Sequence, residues 1–134
     1  MTGPVLIIED NVDIAEILRY ALEKENYETR VALTGEQGLH ASLDKLNPPS
    51  IILLDLLLPG MSGFELCRRI RREPLTRTTP ILIMTAKPVH TELSTFLEMG
   101  ADDVITKPFV LRNVLTKVNS LVNRQGPQGK FPHI

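Results

Sequence analysis

The sequence predicts an α/β fold, a doubly wound parallel sheet of five strands with helices between them. Three observations carry this prediction. Five short strand-like runs recur along the 134 residues: "VLII" (5–8), "TRVA" (29–32), "IILLD" (51–55), "ILIMT" in the 80s and "DVIT" (103–106). Three of them are continuously apolar rather than alternating, the pattern of strands covered on both faces. Amphipathic segments at helical spacing separate them, and strands alternating with helices build a parallel sheet with right-handed crossovers.

Each element has its own local signal. After the first run, Ile14, Ile17, Leu18, Ala21 and Leu22 recur at i, i+3, i+4, i+7 and i+8, one apolar helical stripe. Asp13 with Glu16 marks the start of that helix and Asn26 its stop. Thr34 and Gln37 form a T-x-x-Q capping box before a second helix carrying Leu39, Leu43 and Leu46, which "PPS" (48–50) breaks. A third helix begins near Ser62, buries Phe64, Cys67 and Ile70, and ends by Pro74. A fourth carries Leu93, Phe96 and Leu97 and stops at Gly100. A fifth shows Val114, Leu115, Val118, Leu121 and Val122 on one face. One domain over residues 1–124 is expected, and "QGPQGKFPHI" (125–134), with two glycines and two prolines, reads as a tail or linker.

Composition narrows the function classes. Hydrophobic content of 43% and charged content of 23% are ordinary for a soluble globular domain. Lys+Arg at 15 against Asp+Glu at 16 leaves a net charge of −1, so no global field draws nucleic acid or an acidic membrane. The basic run "RRIRR" (68–72) flanks Ile70 and reads as a solvated helix face. The single cysteine, Cys67, forms no internal disulfide, which fits a reducing cytoplasm. No leader pattern opens the chain and no apolar run reaches membrane-spanning length. A cytoplasmic domain is the expectation.

The chemistry gathers at the ends of the strands. "IILLDLLLPG" sets Asp55 between Ile51, Ile52, Leu53 and Leu54 on one side and Leu56, Leu57 and Leu58 on the other. A buried carboxylate without a partner is costly, so Asp55 needs an environment that keeps it ionised. In open parallel sheets ligands bind outside the carboxyl ends of the strands. The residues ending the runs are Glu9 and Asp10, Asp55, Thr85 and Lys107: three acids, a hydroxyl and an amine on one edge. Three carboxylates repel one another unless a cation joins them. Oxygen-only ligands suit a hard divalent ion such as Mg²⁺. His40, His90 and His133 lie outside the set and Cys67 falls on an apolar helix face, so zinc does not fit. A carboxylate beside Mg²⁺, with Lys107 and Thr85 to take further oxygens, suits phosphoryl transfer onto Asp55.

These residues stand in four ordered motifs: "LIIEDN", "IILLDLLLPGMSGFEL", "ILIMTA" and "GADDVITKPF". Together they resemble the receiver domain of two-component response regulators, from about Val5 to about Asn123. The resemblance implies a flavodoxin-like (βα)5 fold and a phosphorylatable switch that takes a phosphoryl group from a sensor histidine kinase or a phosphotransfer protein. It implies that Asp55 is the phosphoacceptor and that Glu9 and Asp10 bind Mg²⁺ (or Mn²⁺), one of them through water. The backbone carbonyl of Leu57 would complete the protein ligands. Thr85 would bond a phosphoryl oxygen, Lys107 would pair with it, and Lys107–Pro108 would be a cis peptide. Gly63 and the "LPGMSG" turn would shape the loop over Asp55.

The resemblance also points to how the signal leaves. Thr85 would drag the loop from Ala86 to His90 with it, toward a face made by the fourth helix, fifth strand and fifth helix. That face would meet an output domain, a partner protein or a second copy of the chain. The family usually has an aromatic three before the lysine, and here Val104 stands there, too short and stiff for a ring flip. Backbone movement of residues 86 to 95, and a contact surface around Leu93, Phe96 and Val104, are expected instead. Leu57 and Lys87, each two residues after a site residue, flank the path of hydrolytic water and imply a slow loss of the phosphoryl group. Two other readings compete. An aspartate-nucleophile phosphatase shares Asp, Mg²⁺, Thr and Lys but needs a second acid where Leu57 stands. A pseudo-receiver would bind without phosphorylation, and the intact acid set argues against it.

Overall fold

The computed structural model describes residues 3–86 and 97–124. Five parallel strands form one sheet: β1 (Val5–Ile8), β2 (Thr29–Ala32), β3 (Ile51–Asp55), β4 (Ile81–Thr85) and β5 (Asp103–Thr106). They lie in the order β2-β1-β3-β4-β5, the doubly wound order in which the chain reverses direction at β1. The five strands coincide with the five runs read from the sequence. Alternate residues of each strand go to opposite faces, and both faces are covered. Val5, Ile7, Ile51 and Leu53 join one core with Leu18 and Leu22 of helix α1 (Val12–Lys24) and Val114 and Val118 of the C-terminal helix (Leu111–Asn123). Leu6, Ile8, Ile52 and Leu54 join the other with Leu66, Cys67 and Ile70 of α3 (Gly63–Arg72).

The helices depart from the sequence reading in instructive ways. Helix α1 starts earlier than Asp13: Asn11 is its cap, and its side chain accepts from the Ile14 N–H. Asp13 sits in the first turn, where a negative charge favours the helix N-terminus. At the far end Asn26 has φ 70°, the left-handed stop expected of it. Within the stripe, Leu18 and Leu22 are buried, Ile14 and Ala21 are partly buried and Ile17 is half exposed; Ala15, outside the stripe, is buried as well.

Helix α2 (Gly35–Ser42) is capped by Thr34 as expected, but it ends before Leu46, which is 96% exposed. Its buried face is made of the small residues Gly35, Gly38 and Ser42. A Cβ on Gly38 would meet Ile8 Cδ1 at 2.6 Å, so the missing side chain is what lets α2 lie against β1. In α3, Leu66 rather than Phe64 joins Cys67 and Ile70 in the core, and Phe64 is exposed.

The run 68–72 is not uniformly solvated. Arg71 donates to the carbonyls of Gly100, Thr76 and Thr79 at 2.9, 3.1 and 2.7 Å and to Asp102 at 2.9 Å. It ties the end of α3 to the start of β4 and to the turn before β5. Gly100, at φ 107°, lets its stem pass: a Cβ there would sit 2.7 Å from Arg71 Cγ. Among the described residues, no helix is long and apolar enough to cross a membrane. Lys87, Leu93, Phe96 and the tail 125–134 lie outside the described residues.

Candidate functional site

The strand register brings the site together. Ile8 pairs with Leu54, Asp55 with Met84, and Thr85 with Thr106, so the strands end almost level. Residues that terminate them therefore meet at one edge. Carboxylate oxygens of Glu9, Asp10 and Asp55 all lie within 4.8 Å of one another. Glu9 and Asp55 are buried while Asp10 is exposed, which makes a pocket with acids at its floor and its mouth.

Lys107 reaches this pocket from β5. Its ammonium is 2.7 Å from Glu9 Oε1 and 3.3 Å from Asp55 Oδ2. The Lys107 N–H donates to the Thr85 carbonyl at 2.8 Å, and Lys107–Pro108 is the cis peptide the resemblance implied. Thr85 is buried at the end of β4. Burial works against the ammonium, but the hydrogen bond to Glu9 and the charges of Asp55 and Glu9 outweigh it, holding the Lys107 pKa above its ordinary value. Burial pushes Glu9 up, helped by the charge of Asp55 and opposed by the hydrogen bonds from Lys107 and the Asn11 N–H.

Two backbone donors complete the frame. The Leu57 N–H donates to Asp55 Oδ1 at 3.2 Å, and the Asn11 N–H donates to Glu9 Oε2 at 3.1 Å. Asn11 is the one participant the residue types did not single out. An asparagine just before an amphipathic stripe is a helix-cap signature and was the available signal. Gly63 shapes the loop as expected: its N–H donates to the Leu56 carbonyl at 2.9 Å, and Ser62 caps α3 by accepting from the Glu65 N–H. Leu57 turns outward and is 73% exposed. Ala86 is exposed beyond β4, and Val104 is half buried on β5. Cys67 lies in the second core, where burial raises its thiol pKa, and takes no part in the acid cluster.

An open parallel sheet in this order, with three acids and a lysine at its carboxyl edge, defines a class of small signalling modules. The chain belongs to the family described as the response regulator receiver domain, which it matches over residues 5–119. Receiver domains of this family belong to two-component signalling systems. Relatives of the chain include the phosphate regulon transcriptional regulatory protein PhoB of Pseudomonas aeruginosa. That protein is 41% identical over 123 residues, covering 92% of this chain and 53% of the relative. The response regulator ArlR of Staphylococcus saprophyticus is 40% identical over 121 residues, covering 90% and 53%. The chain thus spans about half the length of these relatives. A putative response regulator from Chloroflexus aurantiacus has a similar crystal structure, with TM-score 0.82 and 35% identity over 91% of this chain and 98% of that one.

Proposed function

We propose that this chain receives a phosphoryl group on Asp55 from a histidine kinase or phosphotransfer protein, with Mg²⁺, and switches an output in response. The observation that carries the reading is the cluster itself: Asp55 shares its pocket with Glu9, Asp10 and an ammonium 3.3 Å away. Such a carboxylate is backed by positive charge, a requirement of a nucleophile that attacks an anionic phosphoryl group.

The residues divide the work as follows. An Asp55 oxygen forms the new bond to phosphorus as the bond from phosphorus to the donor nitrogen breaks, and the electron pair leaves with the donor. The Leu57 N–H fixes the rotamer of Asp55 by holding Oδ1. Lys107 and the Thr85 hydroxyl take up charge on the phosphoryl oxygens. Asp10 and Asp55, with Glu9 and the Leu57 carbonyl, would hold Mg²⁺, which supplies further positive charge to those oxygens. Phosphorylation adds about −1.5 to −2 charges beside Thr85 and Lys107, enough to reset what they pair with.

The output is proposed to leave through β5, the C-terminal helix and the segment between β4 and β5, toward an output domain, a partner or a second copy. A groove of about 330 Å³ between Val104, Phe109, Asn113 and Lys117 lies on that side. The proposed receiver unit is residues 1–124. Incubation with acetyl phosphate and Mg²⁺ tests the reading: intact mass should gain one phosphoryl group, and a chelator should suppress the gain. No gain with Mg²⁺ present contradicts it.

The outward Leu57 side chain bears on lifetime. It offers no hydrogen bond to orient an attacking water, so decay should be slow. Leu57→Asn combined with Lys87→Glu should speed the decay of the phosphorylated protein, followed by intact mass over time. An unchanged rate would show that these flanking residues do not limit hydrolysis.

A further inference from the structure

We infer that Arg71 is a positioning residue of the switch: it latches the far end of the segment between β4 and β5 onto α3, so that movement is confined to the end beside Thr85. The inference rests on the reading above, in which phosphorylation of Asp55 moves that segment. Its basis lies at the opposite edge of the sheet from the acid pocket. Asp102 and Ile81 exchange hydrogen bonds where β4 begins. The Asp102 N–H donates to the Ile81 carbonyl at 2.8 Å, and the Ile81 N–H donates to Asp102 Oδ2 at 2.9 Å. Thr85 ends the same five-residue strand, about 13 Å away at the usual rise per residue. The segment therefore leaves the sheet beside the site and returns to it at the far edge.

Arg71 holds the returning end. Its Nε donates to the Gly100 carbonyl at 2.9 Å, one terminal nitrogen to the Thr76 and Thr79 carbonyls at 3.1 and 2.7 Å, and the other to Asp102 Oδ2 at 2.9 Å. The Arg71 side chain is 19% exposed and that of Asp102 24%, so water competes weakly for these bonds. The residues around Gly100 are held as well. The Met99 carbonyl accepts from the Cys67 thiol of α3 at 3.6 Å, and Ala101 is buried in the second core. Gly100 belongs to the latch: with φ 107°, it leaves room for the guanidinium where a Cβ would sit 2.9 Å from Arg71 Nε. The planar fork suits this task, because donors on three nitrogens reach four acceptors at fixed angles, which a lysine ammonium does not. A segment pulled at one end and fixed at the other swings about the fixed end. Arg71 thus turns a shift at Thr85 into a swing about residues 97–102 instead of a release of the whole segment.

Amide hydrogen exchange on the full chain tests this, with wild type, Arg71→Lys and Arg71→Met, before and after treatment with acetyl phosphate and Mg²⁺. In the unphosphorylated variants the amides of Gly100, Asp102 and Ile81 should exchange about tenfold faster than in wild type, the effect of losing one hydrogen bond to a charged group. Amides of β1 and β3 should keep their protection. Arg71→Met should show the larger effect. Should it disturb the whole fold, Arg71→Lys, which keeps the charge beside Asp102, decides. On phosphorylation of the wild type, exchange should change in residues 86–96 and stay within about twofold at Gly100 and Asp102. In the variants the change should spread into residues 97–102, a readout that a merely stabilising arginine would not move. Wild-type protection at Gly100 and Asp102 in both variants would overturn the latch. A phosphorylated wild type in which residues 97–102 change as much as 86–96 would overturn the fixed end. Absence of a phosphoryl gain in the intact mass would instead sink the reading of Asp55, and the unphosphorylated variants would still decide whether Arg71 is the latch.

Discussion

Asp55→Asn is expected to reduce acetyl phosphate-dependent phosphorylation to background, with no added phosphoryl group in the intact mass after incubation with Mg²⁺. The substitution keeps the size and shape of the side chain, and its amide oxygen can still accept from the Leu57 N–H that now holds Oδ1 at 3.2 Å. What it removes is the negative charge and the nucleophilic oxygen. A neutral amide attacks phosphorus poorly and leaves the Lys107 ammonium with Glu9 alone, 2.7 Å away. The fold should stand, because one of three mutually repelling carboxylates has gone while both cores are untouched. Near-wild-type thermal stability together with complete loss of the adduct is the signature of a lost nucleophile. An adduct that survives in Asp55→Asn would move the phosphoacceptor to another residue.

Gly63→Ala should be among the most damaging single-methyl additions in the chain. Its Cβ would come within 2.5 Å of Leu56 Cα and 3.0 Å of the Asp55 carbonyl oxygen, both backbone atoms with little room to retreat. Overpacking of this kind costs typically 1–3 kcal/mol, and alanine's better helix propensity returns at most about 1 kcal/mol. A net loss of about 2 kcal/mol lowers the melting temperature of a domain this size by roughly 8 °C. The strain falls on Leu56, between the nucleophile and the Leu57 N–H that orients it, so phosphorylation should slow as well. Gly60→Ala is the internal comparison. Gly60 has φ 84° but open space around it, so alanine there meets backbone strain of about 1 kcal/mol and no clash. Equal melting temperatures for Gly63→Ala and wild type would contradict the packing argument.

The strands were legible because burial on both faces leaves little choice of residue. Ile51 to Leu54 must all be apolar when each faces a core, and the run ends where the chain emerges at Asp55. The site was legible for the same reason: once the strand ends are known, the topology alone brings Glu9, Asp10, Asp55, Thr85 and Lys107 to one edge. Helix α2 was harder to read. Leu39 of the expected apolar face does pack against the second core, but the close approach is made by the absence of side chains at Gly35 and Gly38, and Leu46, expected on the same face, lies in solvent. Arg71 was read as one charge in a basic run, because its carbonyl partners at Thr76, Thr79 and Gly100 are set by chain geometry and leave no mark on residue type. The Lys107–Glu9 pair likewise depends on a long side chain reaching from β5 to the end of β1, a contact that spacing in the sequence does not encode.

Chemical trapping of the phosphorylated protein tests the central claim most directly. Borohydride reduces an acyl phosphate to an alcohol, so an aspartyl phosphate becomes homoserine and leaves a permanent mark at the modified residue. Wild-type protein treated with acetyl phosphate and Mg²⁺, reduced, digested and sequenced by tandem mass spectrometry should carry homoserine at position 55 and nowhere else. The mark should vanish when the metal is chelated. Homoserine at Asp10 or another carboxylate, or none in a protein that has gained phosphoryl mass, would contradict the assignment of Asp55 as the phosphoacceptor.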